Sequence, residues 1–125
     1  MADITTDIIR PGEFKTATWV GSSRDDVRQF PAAAQDSLGY QLYLVQVGRM
    51  PTDWKSMHAI GSGVCEIRSH AAGEHRLIYV VRFEEAVYVL HAFEKRSRKT
   101  PRHDIEVAKR RLAQVVERRR PRAGR

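Results

Sequence analysis

The stretch Gly63–Pro101, GVCEIRSHAAGEHRLIYVVRFEEAVYVLHAFEKRSRKTP, decides how the whole chain is read. Its opening, VCEIRSH, alternates Val64, Glu66, Arg68 and His70 with Cys65, Ile67 and Ser69, the period of a half-buried strand. Ala71–Glu74, containing Gly73, has the length of a hairpin turn. RLIYVVRF is rich in β-branched and aromatic residues and predicts a central strand covered on both faces. Phe83–Ala86 turns the chain, and AVYVLHAFEK returns as a third strand with Val87, Val89, His91, Phe93 and Lys95 on one face. The expected product is an antiparallel meander that holds arginines, a histidine and a lysine among apolar neighbours.

Upstream, residues 1–13 lack periodicity and read as a flexible lead-in; the domain is expected over 14–117. FKTATWV predicts a first strand at a sheet edge. Ser23 with Asp26 has the spacing of a helix N-cap, and Val27 and Phe30 supply the apolar side of a short helix that Pro31 stops. Ala34, Leu38, Leu42 and Val45 recur at helical spacing, with Gly48 as C-cap. Gly39 inside that helix suggests a close backbone approach. Two helices between the first strand and the meander give an α+β order. Arg49–Gly63 reads as a long connection in which Trp54 either contacts a ligand or plugs the end of the core. Downstream, Thr100-Pro101 predicts a helix opening, followed by an apolar stripe of Ile105, Ala108, Leu112 and Val115 with Lys109, Arg110 and Arg111 turned away. Residues 118–125, RRRPRAGR, read as a basic disordered tail.

Bulk properties narrow the function classes. The 125 residues suit one domain with one modest core. A single cysteine, Cys65, excludes an internal disulfide and a multi-cysteine metal site, and its strand position points it into the core. No apolar run approaches the ~20 residues of a membrane span, and no signal peptide is evident, so a cytoplasmic protein without a membrane partner is expected. The net charge of +7 is unevenly placed. Residues 1–93 hold 9 Lys/Arg against 11 Asp/Glu, a net of −2, whereas residues 94–125 hold 13 against 4, a net of +9. Clustered cations of this kind favour a polyanion, most often nucleic acid, although a solvated basic helix is the plainer alternative.

Neither a metal site, nor a phosphate-binding glycine loop, nor a nucleophile triad finds a complete signature, and no cofactor is expected. A metal-independent cationic site remains. RNA is cut when its own 2′-hydroxyl attacks the adjacent phosphate, and a protein assists by moving protons and stabilising the phosphorane. Arginine matches phosphate oxygens with a permanent forked charge, histidine transfers protons near neutral pH, and a lysine of lowered pKa can substitute. Arg68, Arg76, His91 and Lys95 could supply this set, with Phe93 stacking on a base. Lys95, Arg96, Arg98 and Lys99 suit phosphate contact better than catalysis. Each residue also has a plain structural reading: Arg68 as a surface partner of Glu66, Arg76 and Arg82 as solvent-facing, His91 as a packed core histidine.

The same residues carry a family resemblance. GVCEIR, HRLIYVV, VYVLHAFEKRSRKTP and DIEVAKRRL, together with WVGSSRDDVRQFP, are similar in order and spacing to the phage-derived Gp49-like, HigB-like toxins of the RelE/ParE toxin–antitoxin superfamily. The resemblance runs from about Trp19 to Leu112. It implies a RelE-like fold and a type II toxin that cleaves mRNA in the ribosomal A site without a metal. Arg68 and Arg76 would then stabilise the phosphate, His91 and Lys95 would be the acid/base candidates, and Lys55, Phe93, Arg96 and Lys99 would position RNA. It further implies a helix-turn-helix, HigA-like antitoxin that forms a hetero-oligomer with the toxin. Departures are His58 and Ala59, where relatives carry lysine and glycine, and His75, where relatives carry tyrosine. Two rival readings keep the basic character: a ParE-like toxin that inhibits DNA gyrase by binding, and a non-catalytic nucleic-acid-binding module.

Overall fold

The central strand is the most deeply buried part of the molecule: all six residues of β4, His75–Val80, are buried. The structure is a computed structural model that describes residues 14–121. The expected lead-in 1–13 and the end of the expected tail, 122–125, lie outside these. In chain order the elements are β1 (Thr16–Trp19), α1 (Ser23–Arg28), α2 (Ala32–Gln46), β2 (Trp54–Ser56), β3 (Val64–Ser69), β4, β5 (Ala86–Glu94) and α3 (Arg102–Arg119). The fold is α+β. Its mixed five-stranded sheet has the order β1-β5-β4-β3-β2, with the meander antiparallel and β1 parallel to β5 at the edge. β2 lies inside the connection expected to be loop; only three residues long, each of them exposed, it has no apolar alternation to reveal it.

Both sheet faces are covered. Leu38, Leu42 and Val45 of α2 pack with Ile67, Leu77, Tyr79, Val87 and Val89, and Val27 of α1 joins the same side. Ala108, Leu112 and Val115 of α3 pack with Val64, Ile78, Val80, Leu90 and Phe93 on the other. β3 is thus covered on both faces, whereas its alternation predicted one. Cys65 is half-buried, not a core side chain.

A β-bulge changes the face assignment on β5. Ile78 opposes His91 but Tyr79 opposes Val89, so Leu90 is an extra residue that reverses the parity. Val87 and Val89 therefore face α2, while Phe93 faces α3, and the single expected face is two. A period-of-two reading cannot see such an insertion.

Helix ends also differ from expectation. Ser23 lies within α1 and donates its hydroxyl to the Val89 carbonyl at 3.1 Å, leaving Ser22 at the N-cap position. Pro101, not Thr100, is the N-cap of α3, and Thr100 turns to Glu66. The helix continues through Arg119, two residues into the segment expected to be tail, where the Arg119 guanidinium bonds Glu85 and lies 4.1 Å from the Phe83 ring centroid. That pairing, with Tyr88 adding a second bond, holds the Glu85 carboxyl down at about 2. Arg111 does not turn away: it donates to the Leu90 carbonyl and to the Ser22 hydroxyl, each at 3.0 Å. α3 is thereby tied to both β5 and the start of α1.

Gly48 follows the α2 C-cap with φ +83° and its N–H bonds the Val45 carbonyl, as expected of a helix-ending glycine. Gly39, by contrast, is exposed and a Cβ there would meet nothing within 4 Å, so no backbone approaches it. Gly39→Ala is accordingly expected to stabilise the protein by about 1 kcal/mol. A urea midpoint unchanged or lowered in this variant would contradict that.

Candidate functional site

Residues opposed across a strand pair share a face, and the register places four of the eight cationic candidates in two neighbouring rows. One row is Arg68–Arg76–Phe93 across β3, β4 and β5. The next is Lys55–Glu66–Ile78–His91 across β2, β3, β4 and β5. This is the side of the sheet covered by α3. Beyond the end of β5, Lys95, Arg96 and Arg98 join Glu74 and Arg76 around an open cleft of 440 Å³. Lys55 and Lys99 are exposed but do not line it.

Arg76 is only 6% exposed, which removes the reading of a solvent-facing pair; Arg82 is the exposed one. Its guanidinium donates to the His75 carbonyl at 3.0 Å and to Glu74 at 3.1 Å. Glu74 is shared with His70, whose other nitrogen meets Asp53 at 2.6 Å. These two carboxylates, Glu74 foremost, raise the His70 pKa, and His70 in turn lowers that of Glu74. The Lys95 ammonium donates to the Ser97 carbonyl at 2.7 Å and to that of Arg98, closing the turn that carries Arg96 and Arg98 past the cleft.

His91 lies one row deeper and is 7% exposed. Its Nε2 meets Asp104 Oδ1 at 2.6 Å, and its ring stacks on Phe93 with centroids 5.4 Å apart. Nδ1 is buried and has no hydrogen-bond partner. His91 therefore joins β5 to the first turn of α3 and keeps one nitrogen uncommitted.

Two carboxylates belong to the site: Asp104, for which the sequence gives no signal, and Glu66, expected only as a surface partner of Arg68. Asp104 belongs to a helix start, where an acidic residue is ordinary. Glu66 alternates with apolar residues as a solvent-facing strand residue does, yet it is 1% exposed. Beside its strand neighbour Arg68, its partners come from elsewhere in the chain: Arg76 of β4 and Thr100 ahead of α3. His75, which stands where relatives carry tyrosine, faces the other side of the sheet against Phe30, with ring centroids 4.5 Å apart.

The larger cleft, 470 Å³, is apolar, lies beside α2 between Met50, Trp54, Cys65 and Tyr79, and includes none of the cationic candidates. Trp54 contributes to its wall and plugs no part of the core. Burial raises the Tyr79 pKa beyond its usual range, chiefly by withholding water from the phenolate. Among the described residues no group of three or more His, Cys, Asp and Glu side chains has the arrangement of a metal site, and no helix is long and apolar enough to cross a membrane.

What the arrangement offers is a floor of Arg68 and Arg76 beside a rim of cationic side chains from the turn after β5, while Phe93, expected to stack on a base, is instead buried under α3 against His91. Such a cationic surface suits a phosphodiester backbone. The family model of the phage-derived Gp49-like proteins (DUF891) matches residues 25–113, a span that takes in every candidate residue. No curated protein matches the chain.

Proposed function

Since the chain belongs to the phage-derived Gp49-like family, the HigB/RelE-type toxin family, we propose that it is a type II toxin with a RelE-like fold that cuts mRNA on the ribosome. The observation that carries this reading is the Arg68–Arg76–Phe93 row beside a cleft ringed by Lys95, Arg96 and Arg98. The domain is residues 14–117, and it acts in the cytoplasm, where its substrate is translated.

In this mechanism the 2′-oxygen of the RNA forms a bond to the adjacent phosphorus and the bond to the 5′-oxygen breaks. Arg68 and Arg76 gather the negative charge of the pentacoordinate phosphorane. Lys95 is an ammonium with two protons on backbone carbonyls, which leaves a third for the departing 5′-oxygen. The attacking 2′-hydroxyl gives up its proton to His91 Nδ1, the nitrogen that Asp104 does not hold, through a water because that nitrogen is buried. Lys55, Arg96, Arg98 and Lys99 hold phosphates on either side, and Phe93 supports the His91 ring from within the core. A helix-turn-helix, HigA-like antitoxin neutralises the toxin by covering this cationic side in a hetero-oligomer.

Primer extension on an mRNA translated in a purified system tests the reading. Cuts at codon positions are expected with the wild-type protein, and none without ribosomes or with Arg68→Ala. Intact mRNA with a folded wild-type protein would sink the nuclease reading; inhibition of gyrase supercoiling in its place would identify a ParE-like toxin.

A further inference from the structure

Arg68 and Arg76 oppose each other directly across β3 and β4, a placement in which like charges repel. Both are kept there, and the reason is the carboxylate between them. Glu66 Oε1 lies 3.6 Å from Arg68 Nε and 3.8 Å from Arg76 Nε, while Thr100 Oγ1 approaches Oε2 at 3.4 Å. Neither Nε has a hydrogen-bond partner, and both are buried. At these distances the attraction is charge to charge and not a hydrogen bond, so each guanidinium is drawn toward Glu66 by its stem side. The outer nitrogens of Arg76 bond the His75 carbonyl and Glu74 instead.

We propose that Glu66 is a positioning residue that holds the two arginines side by side for the phosphate. At 1% exposure it cannot touch RNA, so it acts through them. The inference rests on the nuclease reading, but its charge balance makes a distinct demand. Arg68, Arg76 and Glu66 sum to a single positive charge, and Glu74, bonded to Arg76 at 3.1 Å, brings the group to neutral. Glu66→Gln preserves shape and removes the negative charge, so the site becomes more cationic while its geometry loosens. Ground-state RNA binding should then hold or tighten as the chemical step slows. A carboxylate that served only to stabilise the fold would weaken both together.

The test is single-turnover mRNA cleavage on programmed ribosomes by the full chain, its Glu66→Gln variant and its Glu66→Asp variant, with ribosome affinity measured alongside. For Glu66→Gln the expected result is cleavage slowed about 30-fold or more, with affinity equal to or tighter than wild type. Glu66→Asp, which keeps the charge, should recover part of that rate. A Glu66→Gln rate within about 3-fold of wild type, or rate and affinity falling together, overturns the assignment. If the wild-type protein leaves mRNA intact, the nuclease reading fails by itself. Proton exchange at the two arginine Nε–H groups, followed by NMR, then decides on Glu66. Slow exchange in the wild type that becomes fast in Glu66→Gln upholds it, and equal exchange overturns it.

Discussion

Replacing Arg76 with alanine is expected to slow mRNA cleavage about 10²–10³-fold, the size of effect seen when one preorganised oxyanion donor is removed. It should also cost about 3 kcal/mol of stability, the low end for removing one partner of a buried ion pair. The low end applies because Arg68 still faces Glu66. Arg76→Lys separates the two effects. Lysine keeps the charge near Glu66 and Glu74, so most of the stability should remain, but it lacks the planar fork that spans two phosphate oxygens. Cleavage by Arg76→Lys at the wild-type rate would remove Arg76 from the transition state. A urea titration of Arg76→Ala that showed no loss would mean the buried contacts to Glu66 and Glu74 contribute nothing net.

Ile78→Ala is the second variant with a large expected effect. Ile78 is fully buried, opposes Glu66 on β3 and His91 on β5, and packs in the cluster under α3. Truncation removes apolar contacts and leaves a cavity, which for buried Ile→Ala costs about 2–5 kcal/mol. The cavity would open at the β-bulge, directly beside the row that carries Lys55, Glu66 and His91. Denaturant unfolding should show a lower midpoint with an unchanged slope. A loss below about 1 kcal/mol would mean that α3 settles into the gap, against the close packing of protein interiors.

How much of this was legible beforehand follows from the range of the interactions involved. The meander was readable because strand period and hairpin turns are local, and so was the α3 stripe of Ile105, Ala108, Leu112 and Val115. The parity of β5 was not, since the extra residue Leu90 shows only in its register against β4. Asp104 carries no local signal, and Glu66 reads as a surface partner of Arg68, because a carboxylate in a strand or at a helix start is ordinary until a cation from elsewhere in the chain is brought to it. Arg111 was misread for the same reason: its partners, Leu90 and Ser22, are 21 and 89 residues away. The cationic candidates themselves were visible by type. Their sorting into a floor row, a rim and a deeper histidine came from strand pairing.

The parallel pairing of β1 with β5 governs the order in which the sheet can assemble. Hairpins between sequence neighbours close quickly, so β3, β4 and β5 can pair before β1 finds its place. β1 must return across most of the domain; Lys15 ends beside the Phe83 carbonyl, 68 residues further along the chain. Until it does, β5 presents a bare hydrogen-bonding edge, with AVYVLHAF behind it, to any other strand in reach. β1 is thus a late-arriving guard against strand-to-strand association, stationed at the opposite end of the sheet from β2.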